Sequence, residues 1–460
     1  ECLEARGRFI APLERAVREL CTARTWVMPA HDHSLCNFHG TDIGIDLRAS
    51  RVAWELGQIV LLLGPVLPPE LTDAIRAEVT RRVFEPFRTA VRLRGGVPAA
   101  QTTRQWWWWL DTTNNWNAVC LAGVTGAALA LLTDAAQRAW FVDAARRFSA
   151  SFLDGFTPDG YCSEGLGYWN YGFGHFVMMS ELARRATQGA VELLASPRAA
   201  APAHFGLRAE LAPHVYPAFA DCDMQCDVNR GIQQYLARRF GWLEHSEDHA
   251  PLPVNAILPQ CVMAWWPEDW PATPLSCASE MPREELRTWF GDAGVLISRP
   301  APGSSARLAA AMKGGHNDEH HNHNDLGSYV LAVDGRIVLA DPGREVYTRR
   351  TFSGRRYESP LLSSYGHAVP RIGGALQTAG AAAHAQVVEC CFGDAADVLQ
   401  LDLRAAYAVP AARTVHRTFT FARGGAGEFI VCDEIVLDEP LEIETALITY
   451  LPWQQTSADT

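Results

Sequence analysis

Between Gly315 and Gly327 the chain reads Gly-His-Asn-Asp-Glu-His-His-Asn-His-Asn-Asp-Leu-Gly, with histidines at His316, His320, His321 and His323. Histidine titrates nearest neutrality of all side chains, so it suits both proton transfer and metal ligation. In an extended chain His321, His323 and Asp325 alternate and face the same way. Two further elements carry matching chemistry. Leu339–Ala340–Asp341–Pro342–Gly343 puts a carboxylate where an apolar strand gives way to a loop, and Ser363–Ser364–Tyr365–Gly366–His367 adds a histidine in a Gly/Ser turn. Two histidines and a carboxylate oxygen suit zinc, with water or a fourth ligand completing the tetrahedron. The plainer reading makes Asp341 a turn cap and His367 an ordinary loop histidine.

A second group lies upstream. Asp159 to Gly172 is a glycine-spaced aromatic loop running into a helix, with Tyr168 and Tyr171 one helical turn apart. Packing alone would account for these rings. Their polar flanks favour a partly exposed surface, where tyrosine donates or accepts a proton. Trp106, Trp107, Trp108 and Trp109 precede Asp111–Thr112–Thr113–Asn114–Asn115–Trp116–Asn117. Four successive tryptophans cannot all enter one core, so some face a groove, where indole stacks on sugar rings. Asn114, Asn115 and Asn117 either hydrogen-bond a carboxylate or cap the helix beginning near Trp116. Arg344, Arg349, Arg350, Arg355 and Arg356 follow Asp341 closely. Such a run is usually a solvated face; here it also supplies the cationic patch an acidic protein needs to hold a polyanion.

The elements that must position these residues change character near Pro282. Before it, apolar residues recur at helical spacing over residues 8–25, 52–63, 70–93, 117–132, 134–153, 172–194 and 231–244. Thr133 and Asp134 open one helix, and Ser196–Pro197 closes another. Serial helices with short loops suggest a layered helical array, either a solenoid or an α/α toroid. After Pro282 the period becomes two, over residues 294–299, 306–313, 327–333, 336–341, 385–389, 397–405, 413–421, 428–437 and 443–450. That many antiparallel strands imply a β-sandwich. The expected domains are residues 1–281, helical, and 282–460, β-sandwich.

Composition bounds the function. A chain of 460 residues exceeds one ordinary domain, and a hydrophobic fraction of 48% can bury a sizeable core. The formal net charge of -12 repels nucleic acid. Twelve cysteines show no metal-ligand spacing; Cys222 and Cys226 form the one close pair with a loop between, and Cys390–Cys391 are adjacent. The stretch from Glu1 to Arg8 is charged and lacks the apolar run of a secretion signal. The longest apolar run, around residues 59–67, is cut by Gly64 and Pro65 and is too short for a bilayer, so no membrane partner is expected.

Taken in order, these motifs resemble a known family. His321–Asn322–His323–Asn324–Asp325–Leu326–Gly327–Ser328–Tyr329, then Asp341–Pro342–Gly343, Tyr347, Arg356–Tyr357 and Ser364–Tyr365–Gly366–His367, resemble the β-domain signature of heparinase II/III-like polysaccharide lyases. Glu164–Gly165–Leu166–Gly167–Tyr168–Trp169–Asn170–Tyr171–Gly172 is similar to the catalytic-tyrosine motif of their helical domain. The resemblance implies an N-terminal α/α toroid, an incomplete helical barrel, followed by a C-terminal antiparallel β-sandwich. It implies that Tyr168 and His321 share the proton chemistry, with His320 adjacent as the alternative histidine. It also implies one structural Zn2+ on His323, Asp341 and His367, no organic cofactor, and a substrate carboxylate neutralised by Asn115 or Asn117. Many relatives place a histidine directly after the asparagine, where this chain has Trp116. Trp116, Tyr171, Arg344, Arg356 and His320 are the expected substrate contacts.

The chemistry explains the residue types. A uronate's C5 proton is poorly acidic beside its carboxylate, so hydrogen bonds or positive charge on that carboxylate stabilise an enolate-like transition state. A base removes the proton and an acid protonates the departing glycosidic oxygen. Tyr168 can do both, or His321 can act as base with Tyr168 as acid. The expected reaction is β-elimination on an anionic polysaccharide or oligosaccharide, glycosaminoglycan-like or alginate-like. The rivals are a uronyl C5-epimerase, a metal-dependent glycan hydrolase and a non-catalytic glycan-binding protein. A polymer is met outside the cytoplasm, so a periplasmic or secreted protein is expected, with cytoplasmic action on imported oligosaccharides as the alternative. Nothing in the sequence sets the oligomeric state, a dimer included.

Overall fold

The computed structural model describes residues 1–2, 4–94, 107–242, 275 and 285–454. Trp106 and Pro282 lie outside the described residues. Helices come first: α1 (Ile10–Thr22), α2 (Cys36–His39), α3 (Leu47–Leu63), α4 (Pro69–Val79), α5 (Glu85–Arg94), α6 (Asn115–Leu131), α7 (Ala135–Leu153), α8 (Gly165–Tyr168), α9 (Gly174–Ala186), α10 (Pro197–Arg208) and α11 (Arg230–Phe240). Strands follow: β1 (Arg287–Phe290), β2 (Val295–Ser298), β3 (Leu308–Met312), β4 (Gly315–Asn317), β5 (Tyr329–Val333), β6 (Arg336–Leu339), β7 (Arg371–Ile372), β8 (Gly380–Phe392), β9 (Ala396–Asp402), β10 (Ala412–Ala422), β11 (Glu428–Leu437) and β12 (Ile443–Glu444). Among the described residues, no helix is long and apolar enough to cross a membrane.

By packing, the chain divides into two compact units that interleave along the sequence. The first holds Glu1–Gly155, Tyr171–Ala200 and Arg230–Ser279; the second holds Phe156–Asn170, Ala201–Asn229 and Glu280–Thr460. In the first unit α6 is apolar nearly all round and buried along its length, as a central helix must be. It packs on α3, α7 and α9. Gly123 and Gly126 allow the close approach of α3: a Cβ on Gly123 would meet Ser50 backbone at 2.6 Å, and one on Gly126 would meet the Trp54 ring at 2.2 Å. That gain in packing offsets the poor helix propensity of glycine. Carboxylate and amide caps open the helices: Asp46 accepts from the amide of Ala49, Asn114 from that of Trp116, and Asp134 from that of Gln137.

The second unit contains the sandwich. One sheet runs β1-β2-β3-β5-β6 and the other β11-β10-β9-β8-β4, both antiparallel, with a small β12-β7 pair beside them. Alternate residues of β9 and β10 are buried, as a strand with one covered face requires. Leu296, Met312, Tyr329, Leu399, Leu401, Val415 and Phe419 meet in the core between the sheets.

Several elements differ from the sequence expectations. The stretch read as one helix over residues 70–93 is α4 and α5 joined by a wide π-type turn, Thr80–Phe84. Pro197 does not end a helix but begins α10, since proline fits a first turn whose amide has no partner. The strand expected over residues 443–450 shrinks to β12, which pairs only with β7. Strand β4 lies inside the histidine-rich stretch, whose polar composition hid it.

Candidate active site

The second unit gathers the residues that can do chemistry. Tyr168 ends α8, a single turn that Gly165 starts with a φ of +83°. A Cβ on Gly165 would lie 2.4 Å from the carbonyl oxygen of Phe219, so only glycine lets this turn sit there. The Tyr168 hydroxyl is 2.7 Å from that of Tyr347. The His321 ring stacks on the Tyr168 ring with centroids 3.8 Å apart, and its Nδ1 is 3.5 Å from the Tyr347 hydroxyl. Burial pushes the Tyr168 hydroxyl up to about 12, with the Tyr347 hydrogen bond working the other way. Burial likewise pushes Tyr347 up, and Asp221 adds to it. Both tyrosines are therefore neutral hydroxyls near neutral pH.

His321 takes a left-handed backbone, φ +57°, which non-glycine residues adopt only where surrounding contacts hold them. Those contacts come largely from Asp221. Its Oδ2 is 2.8 Å from His321 Nδ1, its Oδ1 is 3.0 Å from His323 Nε2, and Oδ1 also accepts from Arg356 at 2.9 Å. Burial alone would raise the Asp221 carboxyl, but the hydrogen bonds from His321 and His323 and the Arg356 charge hold it well below the usual carboxylate range. A carboxylate only accepts, so His321 Nδ1 donates to it. The other ring nitrogen of His321 lies 3.5 Å from Glu164 Oε2. Arg356 also donates from Nε to the Asn322 carbonyl at 2.9 Å, which anchors the backbone between the two histidines.

Beside this group lies a buried cluster of His323, Asp325 and His367, whose ligand atoms all fall within 4.8 Å of one another. His323 Nδ1, Asp325 Oδ2 and His367 Nε2 are buried without a hydrogen-bond partner. Each residue's other polar atom is engaged: His323 Nε2 by Asp221, Asp325 Oδ1 by Lys313 Nζ at 2.6 Å, and His367 Nδ1 by Asp341 Oδ2 at 3.0 Å. Three unsatisfied acceptor atoms facing one point fit a cation, since burying them bare is costly. Asp341, expected as a direct ligand, instead holds the far nitrogen of His367. This is the arrangement by which outer carboxylates orient ligating histidines. Burial lowers the pKa of His323; at His367 the Asp341 charge outweighs burial and raises it.

The other expected residues divide between the two units. Asn117 is buried in the first unit, and its amide group donates to the carbonyls of Trp109, Leu110 and Phe148 at 3.1, 2.9 and 3.2 Å. The nitrogen end of that side chain is committed to the fold. Asn115 is buried in the same helix and Trp116 is half-buried. Tyr171 falls in the π-type turn Trp169–Phe173, whose wider pitch breaks the expected register with Tyr168. In the first unit the Tyr171 carbonyl accepts from His175 Nδ1 at 2.6 Å. In the second unit Arg344 pairs with Asp223 at 2.6 Å and lies close enough to Tyr168 and Tyr347 to interact electrostatically with both. His320 is exposed.

Sequence reasoning gave no role to Asp221, Glu164 or Tyr347. Asp221 carried one weak signal, an acidic residue between Phe219–Ala220 and Cys222 in a segment that is otherwise apolar.

A helical array in the manner of an α/α toroid followed by an antiparallel β-sandwich is the fold of heparinase III structures. Heparan sulfate lyase HepC from Pedobacter heparinus matches with a TM-score of 0.57 and 13% identity, over 96% of this chain and 60% of that one. A heparinase III structure matches with a TM-score of 0.57 and 13% identity, over 96% and 61%. Another heparinase III matches with a TM-score of 0.61 and 10% identity, over 99% and 65%. At these identities the likeness is one of fold, and the chain spans less than two thirds of each structure's length. No protein-family profile and no curated protein matches the chain.

Proposed function

We propose that this protein is a polysaccharide lyase that cleaves a uronic-acid-containing polymer, glycosaminoglycan-like or alginate-like, by β-elimination. The observation that carries the reading is the Tyr168 hydroxyl, hydrogen-bonded to Tyr347 at 2.7 Å beside a histidine ring stacked at 3.8 Å. The names of the structural neighbours, a heparan sulfate lyase and heparinase III, support it.

In this reading a base takes the C5 proton, and its electron pair forms the C4–C5 double bond. The C4–O bond breaks, and the leaving oxygen takes a proton. Tyr168, neutral because burial holds its pKa at about 12, is the donor to that oxygen. His321 is the base, its ring oriented by Asp221; Tyr168 acting alone on both protons is the alternative. Arg344 offsets the substrate carboxylate, being the partly exposed cation that Tyr168 and Tyr347 both interact with.

The buried cluster holds zinc through His323, Asp325 and His367, with Asp341 behind His367. Its full burial favours a structural ion that orders the histidine-bearing loop over a hydrolytic one. The expected setting is periplasmic or secreted.

The test is ultraviolet absorbance during incubation with alginate, heparin, heparan sulfate, chondroitin and dermatan sulfates, hyaluronan and glucuronan. A rise from the conjugated double bond, lost in Tyr168→Phe and in His321→Ala, supports elimination and names the substrate. Reducing ends without absorbance would point to hydrolysis, and solvent-proton exchange at C5 without cleavage to epimerisation.

A further inference from the structure

The first unit contains a surface that the reaction above does not use. Residues 23–46 form a loop with little helix, yet two buried carboxylates lock it. Asp46 accepts from the amides of Ala49 at 2.7 Å and Met28 at 2.9 Å and from His31 Nδ1 at 2.7 Å. Asp32 accepts from the amides of Asn37 and Phe38 at 3.2 and 2.8 Å, while Asn37 Oδ1 accepts from Gly44 at 2.7 Å. Because a carboxylate cannot donate, the His31 proton sits on Nδ1, which leaves Nε2 for another partner.

The ring so fixed leads into an aromatic row. His31 lies 4.7 Å from Trp116, tilted by 56°, and Trp116 lies 4.9 Å from Trp108, tilted by 47°. Trp108 is 48% exposed, whereas its neighbours Trp107 and Trp109 are 8% and 0% exposed. Trp109 is pinned by a hydrogen bond from its indole to the Ile45 carbonyl at 2.9 Å. The exposed ring therefore sits on a fixed base, in a single 3-10 turn that sends its neighbours inward. A rigid, half-exposed indole with a second indole and an imidazole nitrogen beside it offers an apolar face and a polar edge together. Pyranose rings present that same pair, axial C–H groups on one face and hydroxyls at the rim.

We propose that Trp108, Trp116 and His31 form a saccharide-binding platform that takes one pyranose ring of an acidic polysaccharide. It rests on the lyase reading only for the class of ligand. Trp108 supplies the stacking face, and His31 Nε2 hydrogen-bonds a hydroxyl or an acidic substituent.

The test is titration calorimetry of the Tyr168→Phe protein, which prevents turnover, with hexasaccharides of heparan sulfate, hyaluronan, chondroitin and alginate. For the tightest of these, adding Trp108→Ala or His31→Ala weakens binding about tenfold, while Trp108→Phe retains most of it. Trp108 is a surface ring, so unfolding is not expected; an unchanged melting temperature confirms this. Equal affinity with and without Trp108→Ala overturns the platform, as does failure of the parent to bind any hexasaccharide. Ultraviolet product with platform-independent binding defeats the platform alone. Platform-dependent binding by a wild-type chain that gives no absorbance defeats the lyase reading alone.

Discussion

Asp221 and His321 stand 100 positions apart in the sequence, and the carboxylate Oδ2 lies 2.8 Å from the imidazole Nδ1. The other oxygen of Asp221 serves His323 and Arg356. One carboxylate thus orients the proposed base, one member of the candidate metal cluster and a half-buried guanidinium.

Replacing Asp221 by alanine leaves three donors, one fully buried and two half-buried, without their acceptor. Breaking a buried ion pair from one side costs about 3–5 kcal/mol, so Asp221→Ala should lower stability by that order. Asp221→Asn keeps the shape but loses the charge, and should retain more stability than Asp221→Ala. Denaturant midpoints of the two variants measure this, and the elimination assay should fall in both because His321 loses its orientation.

The three unpartnered atoms of His323, Asp325 and His367 predict one tightly held metal per chain. Elemental analysis of purified protein should find zinc at that ratio. His367→Ala and His323→Ala should abolish it. Asp341→Asn, which weakens the support behind His367, should reduce affinity about 10–100-fold. Metal that binds only the folded chain raises stability by about 2.7 kcal/mol at a hundred times Kd, so chelation should lower the melting temperature measurably.

His175 supplies a pH dependence away from that cluster. Burial holds its pKa at about 4, although the Tyr171 carbonyl bond works against the shift; the nearby Arg51 charge lowers it further. The folded value lies below the unfolded one, about 6.5, so the fold favours the neutral ring. Its contribution is fully present above pH 6.5 and is lost as the pH falls through 4. Melting temperatures of wild type should therefore drop between pH 6.5 and 4 by more than those of His175→Gln. A parallel pair of curves would rule the effect out.

Asn117 is predicted to matter for stability. Its amide group donates to three backbone carbonyls, and aspartate at that position could only repel them. Asn117→Asp should cost about 1–3 kcal/mol in urea denaturation. Binding of the hexasaccharides above should survive wherever the variant remains folded.

The sequence by itself determined what depends on neighbours along the chain. Helical periodicity marked α3, α6 and α7, alternation marked β9, β10 and β11, and the density of histidines marked the loop carrying His321 and His323. The glycine-spaced aromatic motif marked Tyr168, whose turn depends on Gly165 close by. Tertiary structure alone decided the rest. The pairing of Asp221 with His321, the choice of Asp325 over Asp341 at the cluster, and the use of Asn117 as an internal strut all depend on residues far apart in sequence. The start of α10 at a proline read as a stop is instead a local matter, since proline fits a helix's first turn as readily as it ends one. Local pattern reports which face a residue presents; which partner meets that face is set by how the chain packs, and a buried carboxylate has no periodic signature to reveal it beforehand.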